Sequence, residues 1–452
     1  MRRRPLLWGA LILMASGAVT RAAGTVYRIL IVRWAGAEAL GLFQMVLPLF
    51  RLASAMATLR LPVALTRVTA DGLARGDIPA VATARQATAA LIIVLTALTA
   101  LAVAAGAPFL AREYLTDPRT EPLILLLPVA FVPSALTGIF RGYAEGRQNM
   151  ISTAAGQVVE QLVRVPAVLL LLSWWVGAGP QQAAVALVLG LGAGELAGLL
   201  TAMVASGWWQ LEKKDGSGRT KLRGRPRAPR FIVLDHIRTA RNLLGMSLPL
   251  WAATVINTAA QIVNVGMIPR RLLAAGATMT EATALYGQLT GMVLPLLYMP
   301  MLLVFPVATV LTPAIAESQA VGNKASARRH FRLAAGGALA VGLATFAVCQ
   351  AFPEAVPRLL YGIPDIAPLV RLVGVAAPFA FTANIFASVL YALGRTDVVL
   401  KTFVITTAIR LALIYWLTAD PRLGIGGALW AIVVDYALTA AANGRMCARL
   451  LR

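Results

Sequence analysis

The 452-residue chain is 59% apolar and only 13% charged, with a mean hydropathy of +0.74. Soluble domains carry about a quarter charged residues, so a soluble enzyme or soluble binding module is excluded and an all-α polytopic membrane protein is expected. The formal charge of +22 then belongs to loops on one membrane face, and no nucleic-acid partner is expected.

A spanning helix needs about 20 mostly apolar residues. Twelve such segments follow one another, at 6–32, 39–58, 87–110, 122–140, 153–176, 183–208, 243–268, 285–311, 333–352, 366–393, 403–417 and 425–446. The basic start Met1-Arg2-Arg3-Arg4 has the form of a signal peptide. The apolar run that follows continues to Val32 and contains Arg21 and Arg28, so it is read as the first span. Lys and Arg gather in alternate connections: Arg60, Arg67, Arg75 and Arg85; Arg141 and Arg147; residues 211–241; Lys324 to Arg332; Arg395 and Lys401; and the tail. By the positive-inside rule these connections and both termini are cytoplasmic.

The chain reads as two related halves, with an N-terminal six-helix lobe at 1–210, a basic cytoplasmic linker at 211–241 and a C-terminal six-helix lobe at 242–452. Tyr143-Ala-x-Gly-Arg147 recurs as Tyr391-Ala-x-Gly-Arg395, 248 residues on, and Pro62-Val-Ala recurs as Pro306-Val-Ala. Six spans per half is an even number, so both halves start on the same side and form parallel pseudo-repeats. The linker reads either as a dock for anionic membrane lipids or as a solvated connection, and residues 231–238 as an interfacial helix.

Charged residues inside spans are costly and mark cavities or partners. Here they are Arg21, Arg28, Arg51, Glu160, Arg164, Glu195, Arg410 and Asp435. Arg21 and Arg28, seven residues apart, share a helix face about 10 Å apart along the axis. With Arg51 on the next helix they suit a diphosphate, whose oxygens the planar guanidinium fork can bind in pairs. Snorkelling to the interface is the other reading, strongest for Arg28. Glu160 and Arg164 have the spacing of an ion pair within one helix. Arg410 lies 246 residues after Arg164, nearly the equivalent place. Glu195 and Asp435 each read as a coupling acid or as the counter-charge of an arginine. The excess of arginines over acids favours an anionic substrate over a cationic drug.

Two cysteines, Cys349 and Cys447, and two histidines, His236 and His330, form no metal-ligand spacing. Neither a nucleophile elbow nor a phosphate-cradling glycine loop occurs. No catalytic residue, metal or cofactor is expected, and the protein is read as not an enzyme.

Phe140-Arg141-Gly142-Tyr143-x-x-Gly-x-Gln148-Asn149-Met150, then Gln157-Val-Val-Glu160-Gln-x-Val-Arg164, resembles the stage V sporulation protein B group of polysaccharide-biosynthesis membrane proteins, as does Gly41-Leu-Phe-Gln-Met-Val-Leu-Pro48. That group lies in the multidrug/oligosaccharidyl-lipid/polysaccharide (MOP) exporter superfamily and is related to lipid II flippases. The resemblance implies a MATE-like two-lobe transporter with a central cationic cavity. The implied activity is alternating-access flipping of an undecaprenyl-diphosphate-linked sugar in a bacterial cytoplasmic membrane. It also implies essential arginines in the first two helices, here Arg21, Arg28 and Arg51. Many relatives carry two further C-terminal helices, which in lipid II flippases help form a lipid-tail groove; the last span read here is the twelfth.

The expected substrate is therefore a polyprenyl-diphosphate-linked saccharide, lipid II or a related cell-wall precursor, with cell-wall synthesis enzymes as further partners. The energy source stays open between the membrane potential and a proton or sodium gradient acting through Glu160, Glu195 or Asp435. A multidrug/cation antiporter of the same superfamily and a non-transporting scaffold for wall synthesis are the rival readings.

Overall fold

Lipid offers no water to backbone N–H and C=O groups, so apolar runs of this length close their hydrogen bonds within themselves, as helices. The computed structural model describes residues 3–175, 177–208 and 229–451, with backbone alone for 3–15, 18, 21 and 229–237, and no strand occurs among them. The first half comprises α1 (Arg3–Thr58), α2 (Leu61–Arg75), α3 (Ile78–Phe109), α4 (Glu121–Gly146), α5 (Met150–Trp174) and α6 (Pro180–Ala205). The second comprises α7 (Pro229–Ala274), α8 (Met279–Gly287), α9 (Leu294–Met301), α10 (Val304–Ala320), α11 (Lys324–Ala351), α12 (Ala355–Tyr361), α13 (Ala367–Ala392), α14 (Thr396–Leu417) and α15 (Ile425–Leu450).

Ten helices among the described residues are long and apolar enough to cross a membrane, or eleven if the bent pair Met279–Met301 and Val304–Ala320 is one broken span. α1 counts once in that number, although its 56 residues would run to about 84 Å if straight. Gly36, at φ 78° and ψ 175°, interrupts it. The segments on either side fall in the first two spans read from the sequence.

The chain packs as two compact units, Met1–Arg28 with Met45–Ile262 and Ile29–Gln44 with Val263–Arg452. These do not coincide with the expected division at 210 and 242. In the second unit, a Cβ on Gly41 would overlap the Thr283 carbonyl, and one on Gly287 would overlap the backbone of Ala37 and Gly41. Only hydrogen at these positions lets the helices meet backbone to backbone, which holds 29–44 against α8. Arg33 adds a polar tie, its Nε donating to the Leu360 carbonyl at 2.9 Å and its Nη2 to that of Leu359. In the first unit, the Tyr114 hydroxyl donates to the Ile262 carbonyl at 2.9 Å. Gly287→Leu is expected to lower the thermal unfolding midpoint in detergent by the equivalent of about 3 kcal/mol or more, because backbone cannot yield as a side chain does. An unchanged midpoint would contradict this close packing.

Two sequence readings need correction. The predicted eighth span, 285–311, is not continuous: a π-helical turn at Gln288–Val293 separates α8 from α9, and α10 departs at 48° after Met301. Pro300 and Pro306, which lack an N–H, flank that break. The first half breaks in the corresponding place, between α1 and α2, and Pro62 and Pro306 each sit in the first turn of the helix that follows. Residues 231–238 are not a separate interfacial helix but the opening turns of α7, since no Gly or Pro falls between Phe231 and Leu244 to end it. Residues 209–228 of the expected linker lie outside the described residues.

Candidate functional site

In the first unit, α7 carries Thr254, Asn257, Thr258 and Gln261. The spacing i, i+3, i+4, i+7 puts them on one face of a mostly apolar span. Two arginines reach this face. Arg51 Nη1 donates to Gln261 Oε1 at 2.7 Å, and Gln261 Nε2 donates onward to Asn257 Oδ1 at 3.2 Å. Arg60 Nε donates to Thr254 Oγ1 at 3.0 Å. Both arginines are exposed, and Arg60, Val63, Leu250, Thr254, Asn257 and Thr258 line a cleft of about 590 Å³. A guanidinium bonded to a neutral amide or hydroxyl can exchange that partner for an anionic oxygen and gain the stronger, charge-assisted bond. The cleft therefore has the chemistry of an anion site with neutral polar groups beside it.

The acids of the spans are engaged differently. Arg164 on α5 pairs with Glu160 of the same helix and with Glu195 of α6, the latter at 3.3 Å. The Ser134 hydroxyl of α4 donates to Glu195 as well. In the second unit Arg410 Nη1 meets Asp435 Oδ2 at 2.8 Å. Arg164 and Arg410 are each the fifteenth residue of their helices, α5 and α14, so they are true repeat equivalents. The acids are not: Glu195 is the sixteenth residue of α6 and Asp435 the eleventh of α15. Both groups are mostly buried, where removing one member is far more costly than the pair is stabilising. Gly194 lets α6 lie flush on Arg164 and on the Glu160 carbonyl, where a Cβ would come within 2.9 Å of each.

The Arg141-Gly142-Tyr143 and Gln148-Asn149 residues knit together one end of this unit. Gly142 abuts the Pro62 carbonyl, and its own carbonyl accepts from the Thr66 hydroxyl at 3.0 Å. Tyr143 is fully buried, edge-on to Trp208, with the Arg85 and Arg147 guanidinium groups 5.9 and 5.6 Å from its ring centre. Arg85 and Arg147 donate to the carbonyls of Trp208 and Gly207, at 2.7 and 3.0 Å. Half-buried Arg141 and exposed Gln148 flank this cluster, the latter in a left-handed turn at φ 60°. Asn149 caps α5 through Ser152 N and donates to the Ala205 carbonyl at 3.0 Å. Asn149→Ala is expected to cost about 1–2 kcal/mol through loss of the cap, read as a lowered unfolding midpoint.

The sequence echo of this motif is not a structural one. Tyr391 is 53% exposed, whereas Tyr143 is buried. The left-handed residues joining the helices are Gln148 and Gly394, 246 residues apart. The repeat register is thus 246, two short of the Tyr-Ala-x-Gly-Arg match.

Of the three arginines assigned to a diphosphate, Arg51 reaches the polar face of α7 through Gln261. Arg28 is half-buried and has a partner, and the side chain of Arg21 lies outside the described residues. Arg60, read from the sequence as an ordinary loop charge, was missed, as were Thr254, Asn257 and Gln261. The signal for the α7 residues was legible as a polar stripe of helical period in an apolar span.

A family model described as polysaccharide biosynthesis protein matches residues 6–319. The chain is 30% identical over 461 residues to stage V sporulation protein B of Bacillus subtilis (strain 168), covering 100% of this chain and 85% of that protein. It is 26% identical over 450 residues to the membrane protein YabM of the same bacterium, covering 98% and 80%. Among solved structures, a multidrug resistance MATE family transporter of the MOP superfamily in an inward-facing conformation superposes with a TM-score of 0.66 at 15% identity, covering 96% of this chain and 94% of that one. The structural likeness establishes a MATE-type fold in a multi-pass membrane protein, and the sequence matches carry the closer relationship: the chain belongs to the polysaccharide biosynthesis protein family.

Proposed function

We propose that the protein is a flippase that moves an undecaprenyl-diphosphate-linked saccharide, lipid II or a related cell-wall precursor, from the inner to the outer leaflet of the bacterial cytoplasmic membrane, with both termini cytoplasmic. The observation that carries this reading is the pair of exposed arginines, Arg51 and Arg60, that hydrogen-bond to neutral groups on one face of α7, with Arg60 lining the cleft beside it. Guanidinium groups bind the diphosphate, the amides of Asn257 and Gln261 and the hydroxyl of Thr254 donate to its oxygens or accept from saccharide hydroxyls, and the polyprenyl tail stays in lipid. No bond is made or broken. A potential negative inside contributes about 2.3 kcal/mol per charge per 100 mV toward outward movement of a diphosphate. The acids of the spans already neutralise arginines, which suits an anionic cargo better than the cationic drug of an antiporter.

The test is head-group accessibility in liposomes carrying the purified protein and labelled lipid II, with an imposed potential. Exposure of the label faster than in protein-free liposomes supports flipping. No acceleration with lipid II or with any other undecaprenyl-diphosphate saccharide, with or without proton and sodium gradients, sinks the flippase reading in favour of a scaffold.

A further inference from the structure

Between α1 and α2, Leu59 and Arg60 both adopt left-handed backbone, at φ 43° and 58°. Neither is glycine or asparagine, and two such residues in succession are strained; strain of this kind persists only where the surroundings impose it, and it gathers at ligand clamps. The surroundings here are rigid. Leu61 is fully buried, Pro62 is pressed on Gly142, and the Leu59 N–H still closes α1 on the Ala55 carbonyl at 3.0 Å. With both flanks pinned, the turn's product is the direction of one side chain. Arg60 leaves the turn exposed and docks through Nε on Thr254. That is its one side-chain hydrogen bond among the described residues, so the two terminal nitrogens of the fork remain for a ligand in the cleft that Arg60 lines.

Arg51 reaches the same face of α7 at another point. Its partner Gln261 is seven residues from Thr254, about 10 Å along α7. Asn257, bonded to Gln261, lies between them and lines the cleft with Arg60. The arrangement has two cations at separate positions and a strip of neutral hydrogen-bonding groups from one to the other. We propose that Arg60 is a separate phosphate-binding residue, a capture station. There the diphosphate of a lipid-linked substrate is first held before passing along the Thr254–Asn257–Gln261 face to Arg51. This rests on the flippase reading above.

The experiment uses the full chain in nanodiscs and liposomes. Arg60→Gly removes the guanidinium while glycine accepts the positive φ, so the fold is retained; Arg60→Lys keeps the charge without the fork. With a fluorescent short-chain polyprenyl diphosphate as probe, Arg60→Gly is expected to weaken binding by about tenfold or more, and Arg51→Ala by no more than about threefold. In the liposome assay, Arg60→Gly should raise the half-saturating lipid II concentration by about tenfold with the maximal rate largely kept, whereas Arg51→Ala should lower the maximal rate. Arg60→Lys should fall between wild type and Arg60→Gly. Identical behaviour of Arg60→Gly and Arg51→Ala would mean one shared site and overturn the two-station arrangement. Wild-type binding by Arg60→Gly would make Arg60 purely structural and also overturn it. Inorganic pyrophosphate binding as tightly as the polyprenyl probe would overturn the lipid head group as the ligand. Absence of lipid II flipping by wild type while Arg60-dependent probe binding persists would sink the flippase reading alone and leave the capture station standing.

Discussion

The double variant Arg51→Ala/Arg60→Gly is expected to abolish transfer of lipid II while the protein stays folded and monodisperse. Both side chains are exposed and each is tied to α7 by a hydrogen bond to a neutral group, so the fold loses little. What is lost is affinity for phosphate. A hydrogen bond to a charged group contributes about 1.5–3 kcal/mol, so losing one lowers occupancy of that arginine's own station by about 10–10²-fold, and the two losses fall on successive steps of one transfer. At that reduction the label should appear outside no faster than in empty liposomes. Arg51→Lys, which keeps a point charge and loses the planar fork, should retain part of the rate. A double variant with wild-type flipping would remove this cleft from the mechanism without touching the family assignment.

The second large effect is expected at Arg164. Arg164→Leu leaves the Glu160 and Glu195 carboxylates in the interior of the spans without the guanidinium that both now contact. Breaking a buried pair by removing one partner costs about 3–5 kcal/mol, because the remaining charge stays desolvated. Neutralising the two acids at the same time removes the stranded charges, so the informative comparison sets Arg164→Leu against the triple variant Arg164→Leu/Glu160→Gln/Glu195→Gln. The single variant should unfold at markedly lower temperature or fail to insert, and the triple variant should recover most of the loss. A triple variant that is stable but no longer responds to an imposed proton or sodium gradient would give the two glutamates a coupling role. One that flips like wild type would leave them structural. An unharmed single variant would show that other cations of the unit suffice to balance the acids.

Much of this protein was legible from residue order because lipid imposes a local rule. Every backbone group must be satisfied within its own segment, so apolar runs declare helices. The Gly36 interruption falls between the first two predicted spans, and Asn149, after a polar turn, caps a helix as its side chain suggests. The Glu160–Arg164 pair was likewise readable, since its spacing lies within one helix. Misreadings came where local similarity was mistaken for structural equivalence. The Tyr391 copy matched Tyr143 in letters, yet Trp208, Arg85 and Arg147 surround the first tyrosine while the second is left exposed.

Residue order alone was enough for the all-α membrane class, a property of composition and local period, and for the family, a property of its motifs. Which charges meet is a matter of packing. Arg51 and Gln261 are 210 residues apart, Arg60 and Thr254 are 194 apart, and Arg164 and Glu195 are 31 apart on different helices. Helical period tells which residues share a face but not which helix that face will meet. That depends on where small residues such as Gly41, Gly194 and Gly287 let backbones approach. It also depends on where a strained turn, as at Leu59 and Arg60, sends a side chain that local sequence would have left in solvent.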